Sequence, residues 1–177
     1  MRIVELKGDV FHIETDVIVH VVNCKGVMGS GVAAGVKKWH PTVYEAYKKF
    51  CETNIRRMYG EILLPNAETS YLLGKVLIVE SNGILIANLF AQNEYRGMYE
   101  APYVPYDPKF LNYESLWQSL QKLRKELPDG PLRISFPKNM GSGLAGGSWA
   151  IVLPMITETF KDYDVTIQIV EYEKDKE

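Results

Sequence analysis

The sequence has little of what would mark a membrane, secreted or metal-binding protein. Only two cysteines and three histidines occur in 177 residues, and Cys24 and Cys51 fit no zinc or disulfide spacing, which favours a reducing compartment. No apolar run approaches the roughly 20 residues that cross a bilayer, and residues 1–7 lack the pattern of a signal peptide. We therefore predict a cytoplasmic protein with no membrane partner, and the sequence indicates no metal and no cofactor.

The sequence also has no excess of basic residues over acidic ones. The 20 lysines and arginines against 22 aspartates and glutamates give a net charge of −2. Proteins that bind nucleic acids in general usually carry a basic face, so we expect no such binding. A single nucleotide stays possible, because backbone amides can bind phosphate without lysine. The 46% of apolar residues and the chain length predict one globular domain over residues 1–177, with a charged tail that frays from about residue 171.

Apolar strand-like segments alternate with helical patterns along the chain. Strands are predicted at residues 2–6, 16–22, 61–64, 76–80, 84–89, 132–136 and 165–170. Helices are predicted at residues 32–39, from 41 onward, at 113–127 behind an Asn112 N-cap, and at 149–160 behind a Ser148 cap. Residues 93–108 are predicted to form a loop. Because helices alternate with largely apolar strands, we expect an α/β protein with a sheet covered on both faces.

Two glycine-rich turns, residues 26–32 and 141–147, are the most informative feature of the sequence. Each follows an apolar strand and precedes a helix, so each presents backbone N–H groups at the positive end of a helix dipole. The first turn is not followed by Lys-Ser/Thr, and it lacks the glycine spacing of the dinucleotide fingerprint. Two such turns predict a ligand with more than one anionic or ribose-like part.

Three side chains near these turns have two open interpretations each. His20, near the end of a strand, is either a packed core histidine or a group that transfers a proton. Asn23 either bonds the backbone of its own turn or meets a sugar diol. Asp9 either forms an Asx-turn or contacts a ligand. Glu94 and Arg96, on the long loop, are predicted to be a solvated charge pair.

Over nearly its whole length, the sequence resembles the macro domain family, which binds ADP-ribose. The segments that carry the resemblance are residues 8–10, 22–23, 29–32, 88–92, 113–116 and 141–149. Residues 28–33 and 141–149 together are most similar to the branch of ADP-ribose 1''-phosphate phosphatases and small ADP-ribosyl hydrolases. The resemblance implies a three-layer α/β/α macro-domain fold with a mixed, mostly parallel central sheet.

The resemblance also implies a role for each matching residue. Asp9 would bond the adenine amino group with Val10 beside it, and Asn23 would meet the distal ribose. His20 would be catalytic, or Asn23 would hold the attacking water. The first turn would wrap the distal ribose and a phosphate with Gly29, Ser30, Gly31 and Val32. The ligand-binding residues of the second turn, which includes the diphosphate site, would be Asn139, Met140, Gly141, Ser142, Gly143, Leu144 and Ala145.

The sequence departs from the hydrolases of this branch at two positions. They carry a lysine where this chain has Asn93 or Glu94, and an aspartate where it has Ala145. A covalent lysine–aspartate mechanism is therefore disfavoured. Many macro domains also place an aromatic residue at the Ala145 position, so that contact is either missing or supplied by a loop residue such as Tyr95.

The function implied by these matches is binding of ADP-ribose and removal of phosphate from ADP-ribose 1''-phosphate. The alternatives are a reader that binds ADP-ribose without turnover, and a hydrolase that acts on ADP-ribosylated protein or on O-acetyl-ADP-ribose. The expected partners are ADP-ribose or ADP-ribose 1''-phosphate, with an ADP-ribosylated protein as a further one.

Overall fold

The computed structural model describes residues 1–59, 69–95, 98 and 110–173. Its strands are β1 (Arg2–Gly8), β2 (Val17–Asn23), β3 (Val76–Ser81), β4 (Ile84–Gln92), β5 (Leu132–Pro137) and β6 (Val165–Tyr172). Its helices are α1 (Gly31–Trp39), α2 (Pro41–Tyr59), α3 (Tyr113–Glu126) and α4 (Trp149–Phe160), and a short 3-10 helix spans Ser70–Leu72. Within the described part of the chain, no helix is both long and apolar enough to span a membrane.

The strands form one six-stranded sheet in the order β1-β6-β5-β2-β4-β3. All neighbours are parallel except β3, which runs antiparallel to β4 at one edge. The predicted mixed, mostly parallel sheet is therefore confirmed. After β2 the chain crosses to β3, at the edge of the sheet beyond β4. After β5 it crosses to β6, in the opposite direction along the sheet. The order of connections thus reverses between β2 and β5, which is where open α/β sheets form their binding crevices.

Helices cover both faces of this sheet, as the apolar strands predict. On one face, α1 and α2 pack on alternate strand residues around a core that includes Ile18, Val36, Val43, Tyr47, Ile86 and Phe90. On the other face, α3 and α4 pack around a core that includes Val19, Leu89, Leu116, Leu120, Phe136, Val152 and Ile156. The leucine stripe of α3 and the apolar stripe of α4 are both directed inward, since their central residues are fully buried.

Local signals placed most element boundaries correctly. Asn82 and Gly83 both adopt positive φ, at 55° and 80°, as a two-residue hairpin turn requires. Asn112 caps α3, because its Oδ1 accepts a hydrogen bond from the Ser115 N–H at 2.8 Å. Ser148 is the N-cap residue of α4 but its side chain makes no cap hydrogen bond.

The predicted fraying from residue 171 is wrong for the first residues of that tail. Strand β6 continues through Tyr172, and Glu171 pairs in register with Lys7. The Glu171 carboxylate also accepts from the Lys138 ammonium at 2.9 Å. The strand predicted at residues 61–64 and most of the loop at 93–108 lie outside the described residues.

Strands β2 and β5 are paired only near their amino ends. Their register pairs are Val17 with Ile134 and Ile18 with Ser135. Beyond these pairs the two strands part, while β2 stays paired with β4 up to Gln92 and β5 stays paired with β6 up to Pro137. The sheet therefore opens between β2 and β5 toward their carboxyl ends.

A clamp of charged groups holds the two strands together where they are still paired. The Arg133 guanidinium donates to both oxygens of Asp16, at 3.0 and 3.1 Å, and the Arg133 N–H donates to the same carboxylate at 2.8 Å. The Asp16 N–H in turn donates to the Arg133 carbonyl oxygen at 3.0 Å. Hydrogen bonding to Arg133 lowers the pKa of Asp16 below its usual value.

We expect Asp16→Asn to lower the free energy of unfolding by about 1 kcal/mol at neutral pH, because both side chains are about a third exposed and solvent screens the pair. The pKa of Asp16 is lowered in the folded protein, so its stabilisation is present above the unfolded value of about 3.9 and is lost as the pH falls through the folded value. Urea unfolding across this pH range measures the effect. Glu14→Gln is the control, since Glu14 also contacts Arg133 but is 86% exposed; an equal loss in both variants would contradict the clamp.

Candidate functional site

A cleft of about 550 Å³ lies at the open end of the β2–β5 split. The loop from β2 to α1 forms one wall, and the loop from β5 to α4 forms the other. The described residues that line it are His20, Val21, Val22, Asn23, Val27, Gly29, Ser30, Gly31, Val32, Ala33, Gln92, Tyr95, Phe110, Pro137, Lys138, Asn139, Met140, Gly141, Gly143, Leu144 and Ala145. Both glycine turns predicted from the sequence therefore border one cavity.

The first wall presents the uncapped N-terminus of α1. The Ser30 side chain makes no cap hydrogen bond, and the first backbone bond of the helix runs from the Ala34 N–H to the Ser30 carbonyl at 3.2 Å. The N–H groups of residues 31–33 consequently donate to no acceptor in the described structure, and all three residues line the cleft. Gly31 has φ of 54°, a conformation that glycine adopts without steric cost. Such a helix start is an anion-binding site.

The second wall is a turn that bonds to itself and leaves three consecutive N–H groups free. Its internal bonds run from the Ser142 N–H to the Asn139 carbonyl at 2.9 Å and from the Gly147 N–H to the Gly141 carbonyl at 2.9 Å. The carbonyl of Ala145 accepts from the backbone N–H groups of Phe110 and Leu111, which lie just before α3. The N–H groups of residues 143–145 make no bond to described protein acceptors. Successive free N–H groups of this kind form a concave site for anions.

The charges around the cleft favour an anionic ligand. No carboxylate occurs among the described residues that line it. Lys138 is the one cation among them, and its ammonium is bonded to Glu171 at 2.9 Å. Attraction of an anion therefore comes mainly from backbone dipoles, including that of α1. The described residues contain no cluster of three or more histidine, cysteine or acidic side chains that could hold a metal ion.

His20 lies in the floor of the cleft and is 1% exposed. Its Nε2 lies 2.7 Å from the Asn88 Oδ1, while its Nδ1 has no hydrogen-bond partner within the described chain. Burial lowers the pKa of His20 to about 4, although the bond to Asn88 acts in the opposite direction. The ring is therefore neutral near pH 7. His20 is therefore a buried histidine that is bonded at Nε2 and has no described protein partner at Nδ1. Its transfer of a proton stays a prediction.

Asn23 is occupied by the loop that it begins. Its Nδ2 donates to the Val27 carbonyl at 2.7 Å, and its Oδ1 accepts from the Lys25 N–H at 2.9 Å. The Tyr47 hydroxyl, from α2, lies 2.7 Å from the Asn23 carbonyl oxygen and 2.9 Å from its Oδ1. Burial raises the pKa of Tyr47, which keeps the hydroxyl protonated as a donor. These bonds match the loop-organising interpretation and leave one Nδ2 hydrogen for a ligand.

Asp9, Val10 and Ser142 are the predicted site residues that do not line the cleft. The Asp9 Oδ1 accepts from the Phe11 N–H at 3.0 Å, which is the Asx-turn considered from the sequence. Its other oxygen lies 3.6 Å from the His12 Nδ1. Val10 is buried in the core beneath α1 and α2. The role of Asp9 and Val10 beside adenine stays a prediction. The other predicted residues, from His20 to Val32 and from Asn139 to Ala145, are brought together.

Several lining residues were not proposed from the sequence. Gln92 ends β4 in register with Asn23, and its side chain has no hydrogen bond to the described protein. Its position at a strand end beside the cleft was the signal that could have identified it. Ala33 follows from helix geometry, since the first turn of a helix includes it. Phe110 had no local signal, because it reaches the cleft through its bond to the Ala145 carbonyl.

The sequence is similar to two groups of curated proteins, although no family model matches it. It is 27% identical to an ADP-ribose 1''-phosphate phosphatase of Candida glabrata, over 95% of this chain and 96% of that protein. It is 40% identical to a DNA ADP-ribosyl glycohydrolase of Mycobacterium tuberculosis over 55 residues, which are 29% of this chain and only 16% of that protein. The second likeness is thus confined to a small part of a longer protein.

Solved structures share the fold across nearly the whole chain. The macrodomain of Thermus aquaticus DarG superposes with a TM-score of 0.68 and 23% identity, covering 97% of each chain. Thermosipho africanus DarTG, solved in complex with ADP-ribose, superposes with a TM-score of 0.67 and 19% identity, covering 99% of this chain and 43% of that one. At these identities the likeness is one of fold.

The second turn depends on the absence of a side chain at Gly147. A Cβ there would lie 2.6 Å from the Gly141 carbonyl oxygen and 2.4 Å from a Leu111 methyl carbon. We expect Gly147→Ala to lower the free energy of unfolding by about 1–3 kcal/mol, because the turn cannot close around the methyl group. Gly143→Ala is the matched control, since a Cβ there meets nothing within 4 Å. Urea unfolding of both variants tests this, and equal stability would contradict it.

Proposed function

We propose that this chain, which has the macrodomain fold, binds ADP-ribose in its cleft and hydrolyses ADP-ribose 1''-phosphate to ADP-ribose and inorganic phosphate. One observation carries the proposal: two sets of backbone N–H groups without described protein acceptors, at residues 31–33 and 143–145, belong to residues that line one cleft. The name of the Candida glabrata relative, similar over the whole chain, supports the choice of substrate.

ADP-ribose suits this cleft because its charge is concentrated in the middle of the molecule. Its diphosphate can accept hydrogen bonds from both walls, and no carboxylate among the described lining residues repels it. The uncharged riboses meet apolar or amide groups such as Tyr95, Phe110 and Gln92. Tyr95 lines the cleft and is our candidate for the aromatic contact that Ala145 does not provide.

Hydrolysis of the phosphate ester requires little covalent chemistry from the protein. A water oxygen attacks phosphorus, the bond from phosphorus to the oxygen on C1'' breaks, and a proton passes to that oxygen, which becomes the anomeric hydroxyl of ADP-ribose. Free N–H groups stabilise the charge on the transferred group. A neutral histidine with a pKa of about 4 is a weak base at pH 7, so His20 orients the water through Nδ1. The remaining Nδ2 hydrogen of Asn23 is the second group that can hold it.

A reader of ADP-ribose is the second candidate function, and a specific observation favours it. His20 is the histidine among the described lining residues, and because its pKa is lowered to about 4 it is poorly suited to take up the proton of the attacking water. Binding would then occur without turnover. A hydrolase that uses a lysine–aspartate pair is less suited, since Ala145 carries no carboxylate.

We expect calorimetry to show tighter binding of ADP-ribose than of AMP or NAD.

Ser30→Asp should weaken ADP-ribose binding by about tenfold or more, because its carboxylate would occupy the free N–H groups of α1. The variant should not lower the free energy of unfolding, since aspartate is a good N-cap. Ser148→Asp makes the same change at the start of α4, outside the cleft lining, and should leave affinity unchanged. Equal losses in both variants, or no preference for ADP-ribose, would refute the binding proposal.

Phosphate release from ADP-ribose 1''-phosphate separates the enzyme from the reader. We expect turnover by the wild type, and a loss of about a hundredfold in His20→Ala because the water is no longer oriented. The rate should show no inflection near pH 6.5, the ordinary pKa of histidine, since the pKa of His20 is about 4. Release at background level in the wild type would favour the reader, and an unaffected His20→Ala would remove His20 from the mechanism.

A further inference from the structure

His20 carries a buried nitrogen that no described protein group satisfies. Its Nδ1 lacks a hydrogen-bond partner although the side chain is almost fully buried, and the residue lines the cleft. An unpaired buried polar atom costs about 1–3 kcal/mol. An unsatisfied atom on a residue that lines a cleft suggests a ligand or water that completes its bonding when the site is occupied.

The neighbouring strands determine which nitrogen of His20 bears the hydrogen. Strand pairing places Asn88 between His20 on β2 and Leu77 on β3. The Asn88 Nδ2 donates to the Leu77 carbonyl at 2.9 Å, and its Oδ1 faces the His20 Nε2 at 2.7 Å. Turning the amide over would set its oxygen against a carbonyl oxygen, and neither can donate. The Nε2 must therefore be the donor, which leaves the lone pair of the neutral ring on Nδ1.

The ring has no reason to take up a second proton near neutral pH. The described residues that line the cleft include no carboxylate, and the contact at Nε2 is with an uncharged amide. Burial lowers the pKa of His20 to about 4. His20 is thus an acceptor at Nδ1 under the conditions in which the cleft would bind a ligand.

We propose that Asn88 is a positioning residue, which holds His20 as the Nε2–H tautomer so that Nδ1 is a fixed acceptor for an O–H donor in the cleft. The identity of the donor rests on the proposed function, under which it is the attacking water or a hydroxyl of the distal ribose. Asn88 is 0% exposed and is absent from the cleft lining, so it acts through His20.

Nitrogen-15 NMR of the histidine rings tests the tautomer in the ligand-free protein. The three histidines give separate reference signals, since His12 is about half exposed and His40 bonds to Ser81 through Nδ1 at 3.1 Å. We expect His20 to be neutral near pH 7, with its hydrogen on Nε2 alone. A hydrogen on Nδ1, or a mixture of tautomers, would overturn the proposal.

A variant of Asn88 separates positioning from simple packing. Asn88→Leu should abolish the preference for Nε2–H and lower phosphate release by about tenfold or more. Ser81→Ala removes the partner of the other buried histidine, His40, and should leave the His20 signals and the rate unchanged. If Asn88→Leu fails to fold, the wild-type spectrum still decides the tautomer.

Two ligands identify the O–H donor. ADP-ribose has a free anomeric hydroxyl, whereas ADP-ribose 1''-phosphate has that oxygen esterified. A change of the Nδ1 signal with ADP-ribose alone assigns the anomeric hydroxyl, and a change with both assigns water or another ribose hydroxyl. No change with either bound ligand would overturn the acceptor role. If calorimetry shows that neither ligand binds, the proposed function fails, while the ligand-free spectrum still tests the action of Asn88.

Discussion

The short pairing of β2 with β5 is the constraint on which the candidate site depends. Two register pairs and the clamp between Asp16 and Arg133 hold the strands together at one end. Each strand then follows its other neighbour, so the sheet opens toward the carboxyl ends. The connections leave β2 and β5 in opposite directions, which places one glycine turn on each side of the gap. Without this split the two turns would not share a cavity.

The walls of the cleft combine rigid support with unsatisfied donors. Tyr47 and the side chain of Asn23 bond the first loop internally, and the Gly141–Gly147 bond closes the second. The N–H groups at residues 31–33 and 143–145 have no acceptors in the described protein. Preorganised donors of this kind bind an anion without having to rearrange. The use of backbone N–H groups in place of basic side chains explains how a chain with a net charge of −2 can offer an anion site.

The parts of the fold that the sequence predicted are those set by local chemistry. The Asn82–Gly83 hairpin follows from two residues that tolerate positive φ, and the Asn112 cap follows from a side chain that accepts an N–H three residues on. The apolar stripes of α3 and α4 follow from helical periodicity. The extension of β6 to Tyr172 was missed because Glu171 is polar and gives no local strand signal. It is held in the sheet by partners on distant segments, Lys7 and Lys138.

The sequence by itself determined the α/β class and the two glycine turns, because strand apolarity and glycine spacing are properties of neighbouring residues. It also identified His20 and Asn23 as candidates, but left two interpretations of each. Only the tertiary structure supplied the hydrogen-bond partners of these two side chains, because those partners lie far along the chain. Asn88 is 68 residues from His20 and sets its tautomer, while burial sets its charge. Tyr47 is 24 residues from Asn23 and ties it to the loop, since hydrogen bonding and desolvation depend on what the fold brings into contact.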